Sequence, residues 1–297
     1  MLRAVRFACR LGFLIEPATQ DALVASASGL ASIARERIGS ELAGILATHR
    51  GGWALAHETE VMTAAIPELG RLRGFDQMSP YHVYDVLEHT AHVMNATEAF
   101  TGCVTPPELA WAALLHDVAK PDCFTLDGTG RGHFFGHPRA GSEKAEQIMR
   151  RLALPLDVVR PARALIRLHD HMVRPDSRSI RRTLAKLDRA VPGRAEALAF
   201  ELLVLKRADA LSKAPGCDSY VSELGEVEEA LRSELSAGPA YRMADLAISG
   251  ADVLAAADIA PGPAVGRVLA DALDAVLDGR LPNDRDVLLR EVEAGRL

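Results

Sequence analysis

An apolar run that ends in two ionisable residues constrains this chain more than any other feature. The run from Leu109 to Leu115 is apolar on every face of a helix, so it is predicted to form a buried helix that is ended by Pro121. His116 and Asp117 follow it directly. Burying an imidazole and a carboxylate together is costly unless they are paired, hydrogen-bonded or bound to metal. The fold must therefore satisfy this pair inside a helical core.

Two further helical stripes each lead to a possible metal ligand. His169 continues the apolar face of one predicted helix, and Asp209 continues that of another. Each side chain is therefore predicted to point into the core. The stripes consist of Val158, Ala162, Leu165 and Ile166, and of Leu198, Leu202 and Leu205. A His-Asp pair occurs again at His169-Asp170. A His-Asp pair alone therefore does not identify a metal site, and the apolar residues around it have to decide whether it is one.

Two histidine positions stay ambiguous on spacing alone. The helix predicted from Tyr84 to about Phe100 has one face with four polar candidates: His82, Asp85, His89 and His92. A glycine-rich loop before a helix predicted from about Arg139 to Leu152 offers two more: His133 and His137. Taken singly, each histidine is as readily a core or surface residue as a ligand. Together with His116, Asp117, His169 and Asp209, they supply a set that can hold two divalent ions and activate water for attack on phosphorus.

Composition excludes several classes of protein. The 297 residues are 48% hydrophobic and 25% charged, which is typical of a soluble globular chain. The longest apolar run is far below the roughly 20 residues that span a bilayer, and arginines interrupt the N-terminal apolar segment. The four cysteines form no C-x-x-C pair, which argues against zinc ribbons and disulfide frameworks. We expect a cytoplasmic protein with no membrane partner.

A basic cluster stands out against the formal net charge of −6. It contains Arg160, Arg163, Arg167, Arg174, Arg178, Arg181, Arg182, Lys186 and Arg189, against Asp170, Asp176 and Asp188. The net charge gives no general signature of a nucleic-acid binder, so any such partner must be met by local clusters. A solvated helix face explains this cluster as well as phosphate contact does.

The pattern predicts an all-α protein in three parts: residues 1–73, 74–214 and 215–297. The first part has a helix broken at Gly12, another after Pro17 and a third from about Ser32 to Ala47. The second holds the candidate ligands and a possible short strand from Arg131 to Phe135. Ala214-Pro215-Gly216 marks a break before the third part, which has a helix from about Ser219 to Leu235 and a Pro/Gly turn that opens a long helix.

Specific segments resemble the CCA-adding enzymes, the tRNA nucleotidyltransferases of the poly(A) polymerase family. Their neck is similar to three segments here: Met1 to Phe13, Ile15 to Thr19 and Arg35 to Leu42. The HD phosphohydrolase domain fused to many of them is similar to five: Tyr81 to Thr90, Trp111 to Pro121, Gly132 to Gly141, Leu165 to Asp170 and Lys206 to Ala210. Their C-terminal RNA-binding end is similar to residues 248–289.

The resemblance selects among the open alternatives. It implies that the metal ligands are His89, His116, Asp117, His137, His169 and Asp209. Asp117 would bridge two divalent ions, whose identity as Mg, Mn, Ni or Fe stays open, and Lys120 would contact substrate phosphate or cap its helix. The resemblance also implies a nucleotide-binding role for Arg37. The basic cluster, together with the C-terminal tail, predicts RNA contacts, and Arg178, Arg181, Arg182 and Lys186 are the candidates. The partner would be tRNA.

One departure from the family pattern shapes the expected function. In the family a nucleotidyltransferase head precedes the neck, and its metal-binding carboxylates and Glu-Asp-x-x-Arg element have no match in these residues. We expect Leu2, Val5 and Leu11 to form an exposed apolar face, a separate head as a possible partner, and no nucleotide addition by this chain alone. The leading interpretation is an HD-type phosphohydrolase acting at RNA 3′ ends. The alternatives are a non-catalytic tRNA-binding part of a split enzyme and a stand-alone HD nucleotidase.

Overall fold

The computed structural model of the chain is predominantly helical, as the sequence predicts. It describes residues 1–79, 83–102, 104–213, 218–257 and 259–297. The helices are α1 Leu2–Leu11, α2 Pro17–Ser26, α3 Arg35–Leu46, α4 Gly51–His57, α5 Thr59–Ala65, α6 Pro67–Gly70, α7 Val86–Thr101, α8 Pro107–Leu115, α9 His137–Arg151, α10 Leu156–Leu168, α11 Ser177–Ala190, α12 Ala195–Leu211, α13 Asp218–Ser236, α14 Gly250–Ala256, α15 Pro263–Leu277 and α16 Arg285–Glu293. Three short 3₁₀ turns join them at Ala27–Ser32, Lys120–Asp122 and Met243–Asp245. Within the described ranges no helix has the length and apolarity to cross a membrane.

The described residues form two compact units. The first comprises Met1–His171 with Phe200–Ser222, and the second comprises Met172–Ala199 with Glu223–Leu297. All six predicted metal ligands belong to the first unit. The three-part division remains a prediction from the sequence, and its predicted break at Ala214–Gly216 lies outside the described residues.

The amphipathic helix α1 buries its apolar face instead of exposing it. Leu2 and Val5 are 3% and 0% exposed and pack in the first unit, where α1 lies against α3. The expectation that these two residues form an open face was therefore wrong, because a neighbouring helix of the same unit covers them. Leu11 is 55% exposed, as expected. The helix ends where Gly12 takes a left-handed conformation with φ 70°.

The core of the first unit is built from α7, α8, α9 and α10. Helix α8 packs against both α7 and α10, and α10 packs against α9. Every residue of α8 from Glu108 onward is buried, which explains why its sequence shows no polar face. His116 is the C-terminal cap of α8. The His116–Asp117 pair therefore lies at the end of the buried helix α8, where the neighbouring helices can approach it.

A short hairpin closes the first unit beside α9. Strands β1 (Thr125–Leu126) and β2 (Gly132–His133) are antiparallel, with Leu126 opposite Gly132. The peptide N–H of Gly132 donates to the Met78 carbonyl oxygen at 2.8 Å. A Cβ atom at Gly132 would lie 2.3 Å from the Gln77 carbonyl oxygen, so only glycine permits this approach. The predicted strand from Arg131 to Phe135 is real but shorter.

The second unit has its own hydrophobic core, formed by the C-terminal helices. The buried cluster consists of Ala240, Leu246, Ile248, Val253, Ala272, Val276, Leu288 and Val292. The turn before α14 is a capping box, in which Ser249 and Asp252 exchange hydrogen bonds with each other's backbone N–H groups. The predicted Pro/Gly turn does open a long helix, since α15 begins at Pro263 directly after Gly262.

Gly39 provides a test of the close packing of α3 against α9. A Cβ atom there would lie 2.1 Å from the backbone carbonyl oxygen of Leu152, which cannot rotate away. We expect Gly39→Ala to lower the free energy of unfolding by about 1–3 kcal/mol, measured by urea denaturation, because the two helices must separate. Gly29→Ala is the control, since its nearest neighbour is the flexible end of Met1 at 3.9 Å. Equal effects of the two variants would contradict this packing.

Candidate metal centre

Four histidines surround Asp117 in the interior of the first unit. The carboxylate oxygen Oδ2 of Asp117 lies 3.1 Å from Nε2 of His116 and 3.6 Å from Nε2 of His89. Its other oxygen, Oδ1, lies 3.5 Å from Nε2 of His137 and 3.7 Å from Nε2 of His169. Asp209 completes the set, with Oδ1 at 3.1 Å from Nε2 of His89. All six residues are buried.

The geometry divides five of the six candidate ligands, all except Asp209, into two groups that share Asp117. Ligand atoms of His89, His116 and Asp117 all lie within 4.8 Å of one another, and so do those of Asp117, His137 and His169. Each group offers nitrogen and oxygen donors, which suit borderline divalent ions. Because each oxygen of Asp117 faces a different group, this carboxylate is placed to bridge two cations.

Backbone carbonyl groups fix the orientation of each imidazole. Nδ1 of each ring lies at hydrogen-bond distance from a carbonyl oxygen, which can only accept, so Nδ1 is the donor and Nε2 carries the free lone pair. The four bonds are His89 to Ser212 at 3.1 Å, His116 to Ala113 at 2.9 Å, His137 to Phe134 at 2.8 Å and His169 to Ile166 at 2.8 Å. This arrangement is the support typical of metal-ligating histidines.

The Nε2 lone pairs of the histidines converge on the centre, where the protein supplies too few hydrogen-bond donors for them. Nε2 of His137 lies 3.2 Å from Nε2 of His169, so two acceptors face each other once both Nδ1 atoms are protonated. Nε2 of His116 and Oδ1 of Asp117 are buried and form no hydrogen bond among the described residues, while Oδ2 of Asp117 has Nζ of Lys120 at 2.7 Å as its ion-pair partner. Buried polar atoms normally find partners. A pair of divalent cations would satisfy these atoms together, so the residues fit such a centre.

Burial and charge shift the pKa values of the ligands in directions that suit metal binding. Burial lowers the pKa of His169 to about 3 and also lowers that of His89, so both rings are neutral donors near neutral pH. Although burial opposes the change, His116 and Lys120 hold the pKa of Asp117 well below its usual range. The charge of Asp117 in turn outweighs burial and raises the pKa of His116. A proton and a metal cation therefore compete for Nε2 of His116.

Three lysines surround the centre. Nζ of Lys120 lies 2.7 Å from Oδ2 of Asp117 and donates to Oε1 of Gln77 at 2.7 Å. Nζ of Lys213 donates to Oδ2 of Asp209 at 2.6 Å. Lys206 is buried and donates to the carbonyl oxygens of His169 and His171 at 2.7 and 2.8 Å. The predicted role of Lys120 as a phosphate contact stays a prediction, and the structure places it on a ligand carboxylate.

The structure separates the histidines that spacing left open. His92 lies on the outside of α7 and stacks on Tyr84, whereas His89 points inward. Asp85 is the N-cap of α7, because its Oδ1 accepts from the Glu88 N–H at 2.8 Å. His133 pairs with Asp127 instead of the centre. His82 lies outside the described residues.

His137 occupies a different local structure from the predicted one. The sequence predicts a loop histidine before a helix from Arg139, but α9 begins at His137 itself. Gly136 precedes it in a left-handed conformation with φ 81°, which turns the chain from the hairpin into the helix. The ligand is therefore held by a helix end on one side and by its bond to the Phe134 carbonyl on the other.

Most of the predicted RNA-binding residues take part in ion pairs within the second unit. Nε of Arg178 lies 3.0 Å from Oδ1 of Asp278, and Arg182 pairs with Asp274 at 2.7 Å and with Asp278 at 2.9 Å. Arg181 pairs with the buried Glu234. A phosphate group would have to displace these carboxylates. The RNA-binding role stays a prediction, and these arginines join α11 to α13 and α15.

The two remaining predicted site residues, Arg37 and Lys186, are both exposed. Arg37 is exposed in the first turn of α3, so a nucleotide could reach it. Burial lowers the pKa of Lys186, and the neighbouring positive charge of Arg182 acts in the same direction. Both assignments stay predictions.

Sequence patterns gave no signal for the supporting residues Gln77 and Ser212, whereas Lys206 begins one of the segments that resemble the HD domain. Gln77 bonds Lys120, and Ser212 provides the carbonyl for His89. Lys206 follows the apolar stripe of α12 and could have been singled out as a cation three residues before Asp209, on the same helix face. The other two act through positions that depend on distant segments of the chain.

Comparisons with known proteins identify families and relatives that this chain matches. Three family models match: the probable RNA and SrmB-binding site of polymerase A over residues 12–72, the HD domain over 81–214, and the putative tRNA nucleotidyltransferase domain 2 over 197–292. The A-adding tRNA nucleotidyltransferase of Deinococcus radiodurans is 32% identical, covering 90% of this chain and 61% of that protein. The CC-adding tRNA nucleotidyltransferase of Thermus thermophilus is 32% identical, and the match covers 94% of this chain and 62% of that protein.

A solved structure shares the fold. The crystal structure of the Bacillus stearothermophilus CCA-adding enzyme in complex with CTP matches with a TM-score of 0.66 and 24% identity. The match covers 100% of this chain and 61% of that one. The chain thus spans about three fifths of the length of the curated relatives it matches.

Lys206 provides a test of how the centre is supported. We expect Lys206→Met to weaken divalent metal binding by about 10- to 100-fold at the ligand group of His169, because the carbonyls that position this turn lose a buried donor. Titration with Mn²⁺, followed calorimetrically, should show one weakened site and one little changed. Lys144→Met, which removes a surface ion pair with Asp122, is the control. Two unchanged sites in Lys206→Met would contradict this role.

Proposed function

This chain belongs to the tRNA nucleotidyltransferase family of CCA-adding enzymes, and we propose that it carries the family's HD phosphohydrolase activity. The proposed reaction is metal-dependent hydrolysis of phosphate esters at or near RNA 3′ ends, such as terminal phosphates or 2′,3′-cyclic phosphates. The observation that carries the proposal is Asp117, a buried carboxylate whose two oxygens face two separate histidine groups. A binding module without chemistry has no need for such a costly arrangement.

The proposed roles of the residues follow from their positions. His89, His116, Asp117 and Asp209 would hold one divalent ion, and His137 and His169 would hold the other with Asp117 between them. Such ions supply Lewis acidity toward a phosphate ester and lower the pKa of water. Lys213 orients Asp209 through its 2.6 Å bond. Lys120 neutralises part of the Asp117 charge and is the nearest described cation to that carboxylate, at 2.7 Å, so it would also face a phosphate that approaches the centre.

The proposed partner is tRNA. Two family models with RNA-related descriptions match on either side of the HD match, and the relatives are named for adding nucleotides to tRNA. Arg160 and Arg167 are exposed on α10 and form no ion pair within the part of the chain that the structure describes. They differ in this from Arg178, Arg181 and Arg182. We propose that RNA phosphates contact these two arginines more readily than the paired ones.

Removal of the shared carboxylate tests the phosphohydrolase proposal. We expect Asp117→Ala to lose both metal binding and hydrolysis, because two cations at short range would lack the negative charge between them. Metal content is measured by elemental analysis and hydrolysis with 2′,3′-cyclic AMP and 3′-AMP. Asp170→Ala is the matched control, since Asp170 follows His169 as Asp117 follows His116 but is exposed. Full metal content and undiminished hydrolysis in Asp117→Ala would refute the assignment.

Salt dependence tests the tRNA proposal. We expect tRNA affinity to fall steeply between low and moderate salt, and the double substitution Arg160→Ala with Arg167→Ala to reduce the logarithmic salt slope by about 2. The Arg182→Ala variant should instead lower the thermal stability of the chain, because Asp274 loses its partner and Asp278, which keeps Arg178 and Arg280, loses one of its cations. Filter binding over a salt series and calorimetric melting measure the two effects. A salt-independent affinity would exclude phosphate contacts.

A further inference from the structure

A rigid aromatic surface lies at the end of the hairpin, next to the metal centre. The side chain of Phe135 is 80% exposed, although exposing a large aromatic ring to water is unfavourable. Its ring lies parallel to that of His133, with an interplanar angle of 7° and centroids 5.2 Å apart. We call this His133–Phe135 pair the aromatic platform. One face of Phe135 is backed by His133 and the ring remains largely open to solvent.

Hydrogen bonds hold the platform in place. Nε2 of His133 lies 2.8 Å from Oδ2 of Asp127, which fixes the imidazole plane. Oδ1 of Asp127 accepts from the Thr129 hydroxyl at 2.6 Å and from the Thr129 and Arg131 backbone N–H groups at 2.8 and 3.1 Å. The turn between the strands is thereby locked around this carboxylate. A preorganised ring loses little conformational entropy when a ligand stacks on it.

The platform and the metal centre lie on opposite sides of one short segment. The Phe134 ring turns inward, 5.3 Å from Nζ of Lys120 and 6.4 Å from the His137 ring, while Phe135 and His133 turn outward. Successive side chains of an extended segment alternate in this way. Phe135 is two residues from His137, at most about 7 Å of backbone. The platform is therefore a neighbouring surface of the centre and not part of its wall.

We propose that this platform stacks an unpaired nucleobase of an RNA strand whose terminal phosphate lies at the metal centre. The base would belong to the nucleotide adjacent to the terminal one, because the platform lies outside the centre. Every base has a flat π face, so such stacking would not depend on sequence. The inference rests on the proposed function, and it predicts that oligonucleotide 3′ ends of at least two nucleotides bind more tightly than mononucleotides, which can still reach the centre.

Calorimetric binding to the full chain in Mn²⁺ tests the platform. The probes are an adenosine dinucleotide with a 3′-terminal phosphorothioate, which hydrolyses slowly, and the same compound lacking the base of its first nucleotide. We expect the wild type to bind the complete probe about 5- to 100-fold more tightly than the abasic one, and Phe135→Ala to bind both equally. Phe135→Trp should keep the preference, and Phe135→Leu should lose it because leucine has no π face.

A matched variant and a second measurement make the outcome decisive. Phe100→Ala removes another exposed ring, at the far end of α7 and about 16 Å along that helix from His89, so the base preference should stay unchanged. Equal binding of the two probes by the wild type overturns the platform, whatever the hydrolysis assays give. A base preference without hydrolysis keeps the platform and overturns the phosphohydrolase proposal. Self-association that Phe135→Ala abolishes, with no base preference, assigns the platform to a contact between copies.

Discussion

The buried negative charge of Asp117 is the constraint on which the first unit depends. A carboxylate deep in a helical core is strongly unfavourable unless positive charge or donors surround it. The chain provides Lys120 at 2.7 Å and four imidazoles, but the imidazoles present lone pairs because their Nδ1 atoms are committed to backbone carbonyls. The protein thus keeps the carboxylate ionised, with Lys120 on one oxygen and no hydrogen-bond donor among the described residues on the other. That combination would favour a cation-bound state over the metal-free state.

The helices around Asp117 are arranged so that each contributes from one of its ends or from a short turn. His116 caps α8, His169 caps α10 and His137 begins α9, where the chain is free to present a ring while the helix body packs. The backbone carbonyls of helix ends also lack partners within the helix. The buried Lys206 donates to the carbonyl oxygen of His169, so that one hydrogen bond fixes both the end of α10 and the candidate ligand there.

Ion pairs within the protein neutralise part of the basic cluster. In the sequence, the arginines of residues 160–189 suggest one phosphate-binding surface, yet the acidic residues that neutralise three of them come from α13 and α15, far along the chain. Exposed pairs contribute little to stability. Arg181 differs because Glu234 is buried, and loss of one partner there would leave an uncompensated charge. The cluster is therefore partly structural, and only its unpaired members resemble a surface for RNA.

The sequence by itself determined the helical class, the buried character of α8 and the inward direction of His169 and Asp209, because these follow from local periodicity and from the cost of burying polar groups. It could not choose His89 over His92 by spacing, place His137 at a helix start, or foresee that α1 buries Leu2 and Val5. Those outcomes depend on which distant segment packs against each face. Nor could the sequence show that Lys206 donates to the carbonyl oxygens of His169 and His171, or that Asp127 holds His133. Only the tertiary structure decided them, since hydrogen bonds to particular carbonyls and carboxylates exist only after residues far apart in the chain have come together.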